Sequence, residues 1–202
     1  MSLKHLISAA CATAILVASA AGAAPLLQYA STVKDFSSQY SSGSWSAAQV
    51  LGAPNTFVYG DYATAWAPLH QNGTAETISV GFANAVYATG ATIRETSGNG
   101  FVTQIDVIDT MGNFHTVWAG ADTSLTNVPF DFAASWKTTS FLVSGLKVYV
   151  NTNHSGSWEE IDAIRLAGDT VAPPAPVPEP ATLALMGAGF GLLGMARRRR
   201  NR

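Results

Sequence analysis

The segment from residue 76 to residue 166 is a succession of short, β-prone runs separated by turn residues. Apolar and polar side chains alternate in 76–82, and 101–108 is rich in Val, Thr and Ile, which favour strands. Glycine- and asparagine-containing turns follow the second and third runs. The predicted strands are 76–82, 86–95, 101–108, 114–118, 130–132, 141–151 and 160–166. Seven or eight strands at this spacing predict an all-β fold, an antiparallel jelly-roll-like β-sandwich.

The region before residue 76 has a different character. Residues 36–68 are rich in Ser, Gly, Tyr and Trp and show little strand pattern, apart from a short turn at 45–50. One interpretation is a long surface loop that carries binding. The other is that its aromatic side chains pack back over the end of the sandwich. Those side chains are Tyr40, Trp45, Tyr59 and Trp66.

The first 23 residues have the pattern of a secretory signal peptide. Lys4 supplies the positive charge, residues 6–20 the apolar run, and residues 21–23 a small-x-small cleavage site for signal peptidase. The single cysteine, Cys11, lies inside this segment. We therefore expect an exported chain without thiols, which excludes disulfides and cysteine chemistry from the domain at 24–170.

The C-terminal end predicts a membrane-associated tail. Residues 171–178 hold four prolines and favour an extended linker. The tripeptide Pro178, Glu179 and Pro180 comes next, and then the uncharged run 181–196 and the arginine-rich 197–202. This order predicts a single transmembrane helix at 181–196, slightly short for a bilayer, with the arginines retained on the cytoplasmic side.

The tail VPEPATLALMGAGFGLLGMARRRR closely resembles the PEP-CTERM sorting signal, which spans 178–202 here. That resemblance implies recognition by an exosortase and cleavage near the tripeptide in a Gram-negative, exopolysaccharide-producing bacterium. It implies transient anchoring in the inner membrane, then delivery to the cell surface or extracellular matrix. The alternative is a plain C-terminal anchor that is not processed.

The middle of the chain also resembles a known family. SSQYSSGSWSAAQVLGAPNT, YGDYATAWAP, VTQIDVIDTMGNFHTVWAG and SWEEIDAIRLAG are similar to the SD-scarf domain of pappalysins, which is related to the discoidin and galactose-binding jelly rolls. The resemblance covers nearly all of 36–168. It implies loops at one end of the sandwich that bind glycans, lipid head groups or proteins, and a structural Ca²⁺ in many members.

Charge and motifs exclude several classes of function. Between residues 25 and 176 five basic residues face twelve acidic ones, a net charge of −7. Such a domain repels the phosphates of nucleic acids, so we expect no nucleic-acid partner. The chain has no HExxH, GxSxG or glycine-rich phosphate loop, and its histidines are scattered singly. We therefore assign no catalytic residues.

Candidate ligand contacts follow from the physics of sugar binding, in which apolar ring faces stack on tryptophan beside polar groups. The candidates are Trp45, Trp66, Trp158, Asp61, Arg94 and Glu159.

A second candidate site is a Ca²⁺ site, since Ca²⁺ prefers carboxylate oxygens and loop carbonyls. Its ligands would be Asp61, Glu160 and Asp162. The alternative is a structural charge network in which these carboxylates pair with Arg94 or Arg165 across the sheet. No other cofactor is expected.

These observations favour an exported, non-enzymatic protein with a binding or structural role outside the cell. Its expected partners are signal peptidase, exosortase and either exopolysaccharide or another surface protein. The first alternative is a lectin-like module that recognises exopolysaccharide. The second is an extracellular enzyme whose site carries no recognised motif.

Overall fold

The computed structural model of the protein describes residues 24–175. Several predicted features lie outside these residues: the signal peptide at 1–23, the tripeptide 178–180, the helix at 181–196 and the arginines at 197–202. Within the described part of the chain, the linker residues 171–175 form neither helix nor strand. No helix among residues 24–175 is long and apolar enough to cross a membrane.

The described residues form eight strands and one short 3₁₀ helix, Ala47–Val50. The strands are β1 (Leu26–Tyr29), β2 (Thr32–Phe36), β3 (Ala75–Ser97), β4 (Val102–Asp109), β5 (Phe114–Ala119), β6 (Phe130–Ser135), β7 (Val143–Asn151) and β8 (Glu160–Asp169). The all-β prediction is confirmed. The sequence did not predict β1 and β2, because both strands are short, contain no fully buried residue and show little apolar alternation.

Strand β3 corrects the prediction of separate strands at 76–82 and 86–95. Its backbone stays extended for 23 residues, and the exposed residues 83–85 interrupt only the apolar pattern. Its first part pairs with β2 and β7, and its second part with β6 and β8. One continuous strand therefore passes from one sheet into the other.

All strand pairs are antiparallel. Sheet I has the order β1-β8-β3-β6, and sheet II the order β2-β3-β7-β4-β5. The arrangement is sandwich-like, with the two sheets joined through β3.

The core lies between these sheets because alternate residues of each strand point inward. In sheet II, Val148 faces both Ile78 and Ile105 across the strands. In sheet I, Ile93 faces Ile164. All five side chains are buried in one hydrophobic cluster.

Candidate functional site

The aromatic-rich segment between β2 and β3 folds onto the beginning of β8. Trp66 forms a two-way backbone pair with Ile161, at N···O distances of 2.8 and 3.0 Å. Its indole is fully buried in the core cluster, and Nε1 donates to the carbonyl of Ser38 at 3.1 Å. For Trp66 the packing interpretation is therefore correct, and its assignment as a ligand contact is wrong, because no part of the ring reaches solvent.

Other aromatic residues of the segment remain open to solvent and form a pocket with the residue that precedes the last strand. This aromatic pocket is lined by Tyr40, Trp45, Asp61, Ala67 and Trp158, and holds about 270 Å³ of space that is continuous with solvent. The ring of Tyr40 meets Trp45 edge-to-face at 5.4 Å and 70°, and Trp158 at 5.6 Å and 83°. Tyr40 is 48 % exposed, and the two indoles are half-buried.

Backbone hydrogen bonds hold the pocket walls together. The N–H of Trp45 donates to Ala63 at 3.0 Å, and its carbonyl accepts from Ala67 at 3.2 Å. The carbonyl of Ala67 in turn accepts from Tyr40 at 2.9 Å. Trp45 has a φ of +52°, a conformation that bulky residues adopt only when their surroundings impose it. The segment therefore positions the Trp45 ring against its backbone preference.

Asp61 is the exposed carboxylate of the pocket. Its Oδ1 accepts from Trp45 Nε1 at 2.6 Å, which fixes the plane of that indole. Glu160 lies beneath it, fully buried, and accepts from the N–H of Tyr62 at 3.2 Å. Burial raises the pKa of Glu160 to about 8, and its contact with Asp61 acts in the same direction. At neutral pH the buried carboxyl of Glu160 therefore keeps its proton.

Glu159 lies under the pocket and does not line it. The side chain is fully buried, and Oε1 accepts from the N–H of Ser155 at 3.2 Å and from its hydroxyl at 2.9 Å. Burial raises the pKa of this carboxyl to about 7. Its assignment as a direct ligand contact is not supported by this position. Its hydrogen bonds instead hold the loop that presents Trp158.

Arg94 lies away from the aromatic pocket, on β3 in sheet I, where Nη1 contacts Asp131 at 3.3 Å. Of the six predicted ligand contacts, the structure brings three together in the pocket: Trp45, Asp61 and Trp158. Tyr40 and Ala67 are the pocket residues that were not among the candidates, and Tyr40 is the aromatic one. Its aromatic type alone could not distinguish it from a core residue.

The three predicted Ca²⁺ ligands do not share one site. The carboxylate of Asp162 accepts from the backbone N–H groups of Asn55 and Thr56, at 3.1 and 3.2 Å for the same oxygen. Asp61 instead accepts from Trp45 Nε1, and Glu160 accepts from the N–H of Tyr62. Among residues 24–175 no group of three His, Cys, Asp or Glu side chains is placed to hold a metal ion. The carboxylates also do not pair with Arg94, whose partner is Asp131.

The fold and the pocket define a class: a sandwich-like β-domain with an open aromatic pocket at the beginning of its last strand. The chain belongs to the family described as "Pappalysin-1, SD scarf domain, C-terminal", which matches residues 18–174. A PEP-CTERM protein-sorting motif matches residues 176–200. Both predicted resemblances are confirmed. No curated protein sequence matches the chain.

Solved structures of similar fold share little sequence with this protein. The family 32 carbohydrate-binding module of C. perfringens NanJ, solved with galactose, is 15 % identical, with a TM-score of 0.52 over 70 % of this chain and 99 % of that one. Chitosan-binding module 1 of a Paenibacillus sp. IK-5 chitosanase/glucanase is 15 % identical, with a TM-score of 0.50 over 69 % of this chain and 97 % of that one.

A chain from the structure of reduced XRCC1 bound to the DNA polymerase β catalytic domain is equally similar. It is 15 % identical, with a TM-score of 0.52 over 74 % of this chain and 100 % of that one. Sugar-binding modules and this complex have the same degree of likeness to the protein. The likeness therefore shows the fold alone, and function has to be argued from the pocket.

Proposed function

We propose that the protein is an exported carbohydrate-binding protein of the cell surface or exopolysaccharide matrix, and that the aromatic pocket is its binding site. The observation that carries this proposal is the convergence of three aromatic rings and one exposed carboxylate on a single open pocket. The sorting motif supports a location outside the cell, where exopolysaccharide is the partner that we expect.

The pocket has the chemistry that a sugar ring requires. The apolar C–H face of a pyranose packs against an indole or phenol ring, and the exposed carboxylate of Asp61 accepts from sugar hydroxyls. The edge-to-face contacts of Tyr40 with both indoles, and the hydrogen bond from Trp45 to Asp61, restrict the rings before a ligand arrives. Less conformational entropy is then lost on binding, which favours affinity.

We further propose how the chain is divided and delivered. Signal peptidase removes 1–23, and residues 24–170 fold as the jelly-roll-like domain. The linker 171–178 separates that domain from a tail, in which 181–196 spans the inner membrane transiently until exosortase cleaves near Pro178, Glu179 and Pro180. The sorting motif supports this proposal, and the described linker residues without regular structure are compatible with it.

The binding proposal is tested with two exposed aromatic residues. Tyr40 lies in the pocket and is 48 % exposed, whereas Phe114 lies on β5 and is 55 % exposed. We expect Tyr40→Ala to weaken binding to the extracellular polysaccharide of the producing organism about tenfold, and Phe114→Ala to leave it unchanged. Affinity electrophoresis and calorimetry on the exported protein measure both. Equal affinities of the two variants would show that the aromatic pocket is not the binding site. Absence of binding by the wild type would favour a structural role for the protein.

The delivery proposal is tested by mass spectrometry of the exported protein from cells with and without exosortase. We expect the tail after residue 178 to be missing only when exosortase is present, and the N-terminus to begin at Ala24. An intact tail in both strains would show a plain anchor.

A further inference from the structure

A second pocket lies on the outer face of sheet I. The register places Tyr29 of β1 opposite Arg165 of β8, and Arg165 opposite Thr92 of β3. Because Ile93 and Ile164 point into the core, the residues that alternate with them point outward. Pro54 closes one side. This arginine pocket is lined by Tyr29, Pro54, Thr92, Arg94, Asp131, Ala163 and Arg165.

The guanidinium of Arg165 is held by the sheet, with most of its donors unused. It lies over the ring of Tyr29 at 5.9 Å, and Nη2 donates to Thr92 Oγ1 at 3.1 Å. A guanidinium has five N–H donors, and this is the single hydrogen bond of the Arg165 side chain among the described residues. The Arg165 side chain is therefore held in a fixed orientation, while most of its N–H donors have no hydrogen-bond partner among the described residues.

Arg94 is also incompletely paired. Its contact with Asp131 is 3.3 Å long, and that carboxylate is 56 % exposed, so water screens the pair. Arg94 Nε is buried without a hydrogen-bond partner. The Asp131 carboxylate therefore engages Nη1 alone, and Nη2 is left for another acceptor.

The geometry of the sheet brings the two arginines together. Arg94 is two residues from Thr92 on the same face, so it is the diagonal neighbour of Arg165, at a Cα separation of about 7–8 Å. Two guanidinium groups face one carboxylate in the pocket, which leaves it positive within a domain of net charge −7. An anion between the arginines relieves their mutual repulsion.

We propose that the arginine pocket binds the carboxylate of an acidic sugar, a uronic acid residue of the same polysaccharide that occupies the aromatic pocket. This inference rests on the proposed function. The planar fork of a guanidinium matches a carboxylate in two parallel hydrogen bonds, and the ring of Tyr29 and the Pro54 side offer apolar contact to the rest of the sugar.

The two pockets are within reach of one glycan chain. Trp158 precedes β8 by two residues, and Arg165 is seven residues farther along the chain. At about 3.3 Å per residue the two positions are no more than roughly 23 Å apart. A short oligosaccharide spans that distance, so contact at one pocket raises the local concentration of ligand at the other.

The first experiment tests the arginine pocket by itself, with sodium glucuronate as the probe and NMR of the labelled exported protein as the readout. We expect shifts at Thr92, Arg94 and Arg165, and about tenfold weaker binding for Arg165→Gln. Lys137→Gln removes the same charge from an exposed position outside the pocket and should change nothing.

Three results of this experiment overturn the assignment. They are the absence of shifts in the pocket, equal weakening by the two charge-removing variants, and shifts with sodium sulfate as large as those with glucuronate. The last result would mean a general oxyanion site and no preference for a uronic acid.

The second experiment separates this inference from the proposed function. The exported protein is titrated with the extracellular polysaccharide and with the same polymer after chemical reduction of its carboxyl groups. We expect reduction and Arg165→Gln each to weaken binding about tenfold, without further loss when combined. If Tyr40→Ala abolishes binding and Arg165→Gln does not alter it, the inference fails and the proposed function stands. If glucuronate binds the arginine pocket but neither polymer binds, the proposed function fails, and with it the assignment to a polysaccharide.

Discussion

Glu95 carries a carboxyl group that is completely buried next to the turn after β3, and its replacement by glutamine has a calculable effect on stability. Oε2 accepts from the N–H of Gly100 at 2.9 Å. Burial first, and then the hydrogen bond and charge of Asp122, raise the pKa of Glu95 from 4.5 to about 9. Glu95 therefore keeps its proton in the folded protein at neutral pH.

The sign of the pH dependence follows from where that proton is bound. Between pH 4.5 and about 9 the folded state keeps the proton, whereas the unfolded state has released it. The folded state therefore binds more protons, and the free energy of unfolding falls as the pH rises through this range. pH 7 lies about 2.5 pH units above the pKa of Glu95 in the unfolded state, so the free energy of unfolding is about 3 kcal/mol lower there than below pH 4.5.

Glu95→Gln removes this loss, because the amide is neutral at every pH and its carbonyl oxygen still accepts from the N–H of Gly100. We expect wild type and variant to be equally stable at pH 4, and the variant to be more stable by about 3 kcal/mol at pH 7. For a domain of this size that is a melting temperature about 6–12 °C higher. Urea and thermal unfolding at pH 4, 5.5, 7 and 8 measure the difference.

The difference between the two proteins is the decisive quantity. The pKa values of Glu159 and Glu160 are also raised, to about 7 and 8, so both proteins lose stability as the pH rises. Asp35→Asn, which removes an exposed carboxylate on β2, controls for the change in net charge. Parallel stability curves for wild type and Glu95→Gln would refute the reasoning, because they would mean that Glu95 releases its proton equally in both states.

Three further substitutions test the packing around the aromatic pocket and in sheet I. Trp66→Ala should lower the free energy of unfolding by about 3–5 kcal/mol in urea, since the whole indole is buried. Asp162→Asn should lower the free energy of unfolding by about 1–3 kcal/mol, because the Asp162 carboxylate accepts hydrogen bonds from the N–H groups of residues 55 and 56. It should also speed hydrogen exchange of those two amides, and unchanged exchange there would contradict the assigned bonds. Gly168→Ala should lower the free energy of unfolding by about 1–3 kcal/mol in the same assay, because the added Cβ would lie 2.5 Å from Val86 Cγ2. Gly156→Ala is the control and should change the stability little, because no atom lies within 4 Å of its added Cβ.

Much of the fold is predictable from local patterns. Six of the eight described strands coincide with predicted segments, because half-buried strands show apolar alternation and turns show glycine and asparagine. The long β3 was predicted as two pieces, since residues 83–85 are exposed where the strand passes between sheets. Alternation reports which side chains are buried, and a strand that changes sheets changes that pattern without ending.

The aromatic pocket is less predictable because it joins residues distant in sequence. Trp45 and Trp158 were candidates by residue type, and so was Trp66, although the structure buries it completely. All three tryptophans lie in similar loop-like sequence. Only the pairing of Trp66 with β8 decides that this ring points inward while the other two flank Tyr40.

The sequence by itself determined the family, the β-strand content and the sorting motif, since each of these is written in contiguous residues or in local periodicity. The tertiary structure decided which carboxylates are buried, which aromatic rings share a pocket, and that Arg94 and Arg165 lie side by side on sheet I. These properties depend on register between strands and on a long segment folding onto β8. Neither the register nor that packing is encoded in the spacing of residues along the chain.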